Sequence, residues 1–240
     1  MKKIKYLLLG FLFCMFLIQS FGQQDQRIHV AYVLAFGRDA SGKELNYWLG
    51  RGDFSIDQLI EFHRQGFVEY PNLHSETINL AYMDALGRTP SENEMKYWVN
   101  GVDIYIQLIN NHLKYLKSNL SEYKRVIRAS YISVFNREPD IAVINFWEKQ
   151  TVMPFYMLVS CHKNSLRKKN NEFLNYGSID IKNLPAVSSI FLSTTTANEA
   201  YKYINSNARE LLTHAGKHPE KNDNFIKKSN IQTSKIVNIE

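Results

Sequence analysis

Residues 82–98 read YMDALGRTPSENEMKYW, and the chain states this pattern twice more. It is YVLAFGRDASGKELNYW over residues 32–48 and YISVFNREPDIAVINFW over residues 131–147. The stretch from Arg to Trp has one length in every copy: Arg38 to Trp48, Arg88 to Trp98 and Arg137 to Trp147. Successive arginines stand 50 and 49 residues apart, and the chain's three tryptophans all occupy this one position. A fixed period of this size marks a repeat architecture. The expected fold is all-α: three tandem ~50-residue three-helix repeats, at about 27–70, 74–118 and 121–165, followed by a C-terminal helix and a disordered tail.

Within each copy the residue pattern predicts three helices. The first carries an apolar stripe at helical spacing: Ile28, Ala31, Tyr32, Ala35 and Phe36, then Ile78, Ala81, Tyr82, Ala85 and Leu86, then Ile127, Ser130, Tyr131, Val134 and Phe135. Gly37 and Gly87 follow as left-handed stops, and Asn136 takes that place in the third copy. Ser41 with Glu44, and Ser91 with Glu94, form capping boxes that open the second helix. In the third copy Asp140 caps and Val143 stands at the Glu position. Gly52 and Gly101 are expected to end the first two of these helices. The third helix is expected to be short and apolar, reaching His63, His112 and His162, with a linker such as Gln65–Pro71 before the next copy.

The flanks differ in kind from the repeats. Met1-Lys-Lys-Ile-Lys5, the apolar run Tyr6–Ile18, and the small residues Ser20 and Gly22 read as a secretory signal peptide over residues 1–22, with a mature chain starting near Gln23. The chain's formal charge of +6 is unevenly placed. Residues 23–160 carry 14 Lys and Arg against 16 Asp and Glu, whereas residues 161–240 carry 12 against 7. Near-neutral repeats lack the one-faced basic stripe of a nucleic-acid binder, so no nucleic-acid partner is expected. Weak contact between the basic C-terminal region and anionic envelope surfaces is the electrostatic expectation. Beyond the signal the only cysteine is Cys161, so packing rather than a disulfide must hold the fold. Residues 166–216 are expected to form an extension with a helix near 197–215, opened by the capping box Thr196–Glu199, and residues 217–240 a disordered tail.

The pattern Tyr-x-x-x-apolar-Gly-Arg-x-Pro-x-x-x-Glu/Gly-x-x-Tyr-Trp resembles the domain of unknown function 4214 of exported and surface-associated bacterial proteins. More distantly it is similar to phycobilisome linker domains, which bridge other proteins. The resemblance covers residues 27–165 and rests on three in-register copies, with departures at Asn136 and Val143. It implies an all-helical module and no established reaction.

Each recurring residue has a structural reading. Arg38, Arg88 and Arg137 tie a helix end to the following turn or pair with Glu44 and Glu94 of the next helix. Trp48, Trp98 and Trp147 are core anchors, as are Tyr32, Tyr82 and Tyr131. The three histidines come from successive repeats, which a linear array holds apart, so neither a metal site nor a cofactor is expected. Cys161 and His162 are helix neighbours that point in different directions, which argues against a nucleophilic pair. Arg51-Gly52-Asp53 reads as a helix stop and the cap of the next helix. No catalytic residues are assigned. The expected function is an exported, non-enzymatic interaction or scaffold module of the bacterial cell envelope with a protein partner, located in the periplasm, at the outer membrane or outside the cell. The alternative is a glycan-binding or glycan-hydrolysing protein, which requires an exposed Trp platform or two facing carboxylates.

Overall fold

The computed structural model describes residues 24–167 together with 199, 200, 202, 203 and 206. The segment expected to be a signal, 1–22, most of the expected extension and the tail 217–240 lie outside the described residues. The described residues are all helical in class. In chain order they form α1 (24–36), α2 (Gly42–Leu49), α3 (Ile56–Glu69), α4 (Pro71–Leu86), α5 (Glu92–Val99), α6 (Tyr105–Ser118), α7 (Leu120–Phe135), α8 (Ile141–Glu148) and α9 (Phe155–Arg167). No helix among them is long and apolar enough to cross a membrane.

Local chemistry sets most of these boundaries. Ser41 and Ser91 cap α2 and α5 through the predicted reciprocal bonds with Glu44 and Glu94. Helices α1, α4 and α7 stop at Gly37, Gly87 and Asn136, all left-handed, with φ of 74°, 66° and 52°. Three expectations need correction. The predicted linker Gln65–Pro71 is largely helix, because α3 runs on to Glu69 and α4 begins at Pro71. Gly66 does not break it: Phe67 is buried against Phe36 and His74, and that burial outweighs the glycine penalty. Asp53 does not cap α3; Ser55 does, in a capping box with Gln58. Helices α2 and α5 end at Gly50 and Asn100, ahead of Gly52 and Gly101.

The predicted stripes of α1 and α4 are buried throughout, as are Ile127, Ser130 and Tyr131 of α7. Val134 and Phe135 remain half-buried. Helix α4 packs on α6, α7 on α9, and α4 also reaches α9. One position in α1, α4 and α7 carries three different side chains with one job. Gln24 Nε2 donates to the Gly52 carbonyl at 2.6 Å, and His74 Nε2 lies 3.1 Å from the Asp103 carbonyl. The Met153 amide donates to the Tyr123 hydroxyl at 3.3 Å. Each ties a first helix to the loop ahead of the third helix of its own copy.

Successive copies meet at the glycines. A Cβ on Gly37 would lie 2.6 Å from the ring of Tyr105, the first residue of α6. A Cβ on Gly87 would lie 2.5 Å from the ring of Phe155, the first residue of α9. These glycines therefore supply both a left-handed turn and the floor on which the next copy's aromatic ring rests. The Tyr105 hydroxyl continues to Asp84, donating at 2.7 Å, and Arg64 of α3 donates to the Val102 carbonyl and to Gln107. Ile56, at the matching place in α3, has no preceding copy. Beside it, across a cleft also lined by Val30, stand the helical residues Glu199, Lys202, Tyr203 and Ser206. Ala200 is fully buried in the core, and the Tyr203 hydroxyl donates to Asp57.

Substituting Gly87→Ala combines a strained positive φ with a clash against a buried ring, and is expected to cost roughly 2–4 kcal/mol. Asn136→Gly, at a left-handed position without such a ring, should change stability by less than about 1 kcal/mol. Urea unfolding midpoints check both; equal effects would contradict the close approach at Gly87.

Candidate functional site

The recurring polar residues form a closed circuit at each helix corner. Arg38 forks the Glu44 carboxylate, with Nη1 donating to Oε2 at 2.8 Å and Nη2 to Oε1 at 2.7 Å. The Ser41 amide donates to the same Oε2 at 2.7 Å, and the Glu44 amide returns a bond to Ser41 Oγ at 3.3 Å. Arg88, Ser91 and Glu94 repeat this arrangement, with the fork at 2.8 and 2.7 Å. Each guanidinium also lies over the ring of its copy's tyrosine: Arg38 5.4 Å from Tyr32, Arg88 5.3 Å from Tyr82 and Arg137 5.2 Å from Tyr131. All three arginines donate to the carbonyl of the next residue, Asp39, Thr89 and Glu138; in the third copy Val143 supplies no carboxylate and Arg137 makes that bond without the fork. The fork and the Ser91 amide hold the Glu94 carboxyl down at about 2. Burial works to raise Glu44, but the Arg38 fork and the Ser41 amide leave it below the usual carboxylate range.

A second set of contacts runs from the tyrosines inward. Trp48 Nε1 donates to the Tyr32 hydroxyl at 3.1 Å and Trp98 Nε1 to that of Tyr82 at 2.9 Å. The Tyr131 hydroxyl is buried without a hydrogen-bond partner among the described residues. Edge-on to each Tyr–Trp pair sits the histidine of the third helix, 4.6 Å from Tyr32 for His63, 4.3 Å from Tyr82 for His112 and 5.3 Å from Tyr131 for His162. Desolvation pushes the imidazoles down to about 3, 4 and 4 respectively, so all three are neutral at pH 7. His162 Nε2 lies 3.2 Å from Ser130 Oγ; Ala31 and Ala81 stand at the matching places beside His63 and His112. Cys161 is fully buried and its thiol is pushed up to about 11 by that burial. Among the described residues no cluster of His, Cys, Asp and Glu could hold a metal ion.

The three tryptophans are not equivalent. Trp48 and Trp147 are buried, whereas Trp98 is only half-buried and lines an open groove of about 490 Å³. The difference arises in the facing third helix and the loop before it. Phe62 stacks on Trp48 at 5.5 Å, and Phe54 meets it edge-on. In the third copy the corresponding residues are Cys161 and Met153, both buried. In the middle copy they are Asn111 and Asp103, and both line the groove with Trp98, Tyr97, Tyr115 and His112. Tyr97 and Tyr115 are exposed. Asp103 is 7% exposed, and its Oδ1 has no hydrogen-bond partner among the described residues. Burial raises the Asp103 carboxyl, against a lowering pull from Arg64.

The expectation of three core tryptophans therefore holds for Trp48 and Trp147 and needs correction for Trp98. Asp103, Asn111, Tyr97 and Tyr115 stand outside the motif that carries the period. Aligning the third helices, Phe62 with Asn111 and Cys161, is the comparison that isolates the middle copy. No family model, no curated protein and no solved structure matches the chain.

The buried histidines fix an acid response. Their folded-state affinities for protons lie below the ordinary value of 6.5, so the stability they contribute is present above pH 6.5 and is lost as pH falls toward 4. Each fully coupled histidine removes up to about 1.4 kcal/mol per pH unit in that window. Asp84, pushed up to about 6 by burial, and Asp103, raised by burial as well, oppose them as pH falls, while His74, lowered by burial, adds to the histidine side. Glu94 adds a further loss as pH falls from 4.5 to 2. Urea midpoints measured from pH 7.5 to 5 should fall steadily, and His63→Gln should flatten that slope even though it also lowers stability. A flat profile would contradict neutral buried imidazoles.

Proposed function

We propose that the chain is a tandem array of three ~50-residue three-helix units acting as a non-enzymatic interaction or scaffold module, exported to the bacterial cell envelope. One observation carries this reading: the recurring polar residues are consumed by one another. Arg38, Glu44 and Ser41, and likewise Arg88, Glu94 and Ser91, bond within their own corner, and the histidines are neutral and buried against aromatic rings. The motif builds the unit and leaves function to the surfaces between and around units. Support for the array comes from the caps that recur at one period and from the glycine–aromatic contacts Gly37–Tyr105 and Gly87–Phe155.

A partner-facing surface is favoured by one register. Val33 on α1 is fully buried, whereas Met83 on α4 and Ile132 on α7, one period on, are 43% and 37% exposed. Two apolar side chains at one outward position of neighbouring units suit a protein partner that spans the joint between them. The resemblance to linker-type helical modules supports the same reading by analogy of fold alone.

Crosslinking in envelope extracts is expected to capture a partner with the wild-type chain and to lose it with the double variant Met83→Glu, Ile132→Glu. Failure of the wild-type chain to capture any partner would count against the scaffold reading. Export predicts that the secreted or periplasmic fraction contains a chain beginning near Gln23, which N-terminal sequencing reads directly.

A further inference from the structure

The space beside the tryptophan is closed in two units and open in one. Phe54 and Phe62 close it in the first unit, and in the third Trp147 is fully buried, with buried Met153 and Cys161 at the matching places. Asp103 and Asn111 stand there in the middle unit, beside a half-buried indole. A packing requirement alone does not favour this exchange. Two apolar contacts to a large ring are given up, and a carboxyl and an amide line the open groove in their place, an exchange that packing does not reward.

We propose that the groove of the middle unit binds an uncharged saccharide, stacked against the aromatic surface of Trp98, Tyr97 and Tyr115 and hydrogen-bonded by Asp103 and Asn111. The chemistry is matched on both counts. Tyr and Trp offer flat apolar faces with polar tips, which suits the alternating C–H and O–H faces of a pyranose ring. A sugar hydroxyl donates and accepts at once, and this pair supplies both needs: the Asp103 carboxylate accepts, while the Asn111 amide donates and accepts. The groove's volume of about 490 Å³ lies within the roughly 300–1,000 Å³ of small-ligand clefts.

Charge excludes the neighbouring ligand classes. An anionic ligand would need a cation with spare bonding capacity. The nearby Arg88 is forked to Glu94 and lies 3.6 Å from Glu122, and Arg64 is engaged with the Val102 carbonyl and Gln107. A quaternary ammonium ligand would suit the rings and Asp103 but would leave the Asn111 donors idle. This site goes beyond the scaffold reading and does not depend on it; a protein partner on the Met83–Ile132 register leaves the groove free.

The test is a tryptophan-fluorescence titration of the purified full chain with cellobiose, maltose, N,N′-diacetylchitobiose and choline chloride, together with co-sedimentation with purified peptidoglycan. Because Trp48 and Trp147 are buried, Trp98 is the indole that responds. Saturable binding is expected for at least one soluble sugar, or for peptidoglycan if the site requires the polymer. Asn111→Phe, which installs the first unit's filling residue, should weaken binding by about tenfold or more, equivalent to about 1.4 kcal/mol. Tyr97→Ala removes an exposed ring, leaves the fold intact and should weaken binding about fivefold, a smaller loss of stacking. Absence of saturable binding to every saccharide, binding indifferent to both substitutions, or response to choline alone would overturn the proposal.

Discussion

The corner between first and second helices depends on a single carboxylate, Glu44 in one copy and Glu94 in the next. It receives the arginine fork and the serine amide together, so one side chain fixes the guanidinium, the helix start and the turn between them. Partly exposed pairs of this kind contribute about 1 kcal/mol or less as isolated ion pairs, so charge is not their main contribution. Their effect is geometric. In these two copies the guanidinium lies over the tyrosine ring and the second helix brings its tryptophan onto the tyrosine hydroxyl. The histidine of the third helix then closes the aromatic group from the far side. The third copy shows what replaces the carboxylate when Val143 stands in its place. Trp147 is fully buried between Phe146 and His162, Met153 and Cys161 are buried at the places of Phe54 and Phe62, and Arg137 still covers Tyr131. Apolar burial and the cation–ring contact hold that corner.

Between corners the controlling contact is an aromatic ring on a bare glycine. It explains the departures from the pattern by position in the array. Gly37 and Gly87 each face the first aromatic of the next copy's third helix, whereas Asn136, ending the first helix of the third copy, supplies the left-handed turn alone. Ile56 begins the first third helix, with no preceding glycine to rest on, and it is aliphatic where Tyr105 and Phe155 are aromatic. The helical residues around Ala200 and Tyr203 stand at this end instead, and the bond from Tyr203 to Asp57 spans 146 positions of chain.

Legibility in the sequence followed range. The helix caps at Ser41 and Ser91, the stops at Gly37, Gly87 and Asn136, and the buried stripes were readable because each depends on residues within about one turn or on helical spacing. The linker was misread because Gly66 and Tyr70-Pro71 are local breakers, while the burial of Phe67 that keeps α3 helical is a tertiary fact. The second role of the glycines was hidden for the same reason: Gly37 and Tyr105 are far apart in the chain. Trp98 was misread differently. The motif repeats it faithfully, and what distinguishes it lies on the facing helix at Asn111, outside the motif.

Why the middle unit can carry such an opening follows from its neighbours. The middle unit lacks equivalents of Phe54 and Phe62, the two half-buried rings that pack on Trp48 in the first. It is also the unit held from both sides. Tyr105 rests on Gly37 and bonds Asp84, Arg64 grips the Val102 carbonyl and Gln107, and Phe155 of the next unit rests on Gly87. Arg125 of α7 adds a bond to the Leu86 carbonyl at 2.7 Å. The groove rimmed by Tyr97, Tyr115 and Asn111 therefore stands where contacts from both neighbouring copies converge, a placement that suits the proposed site.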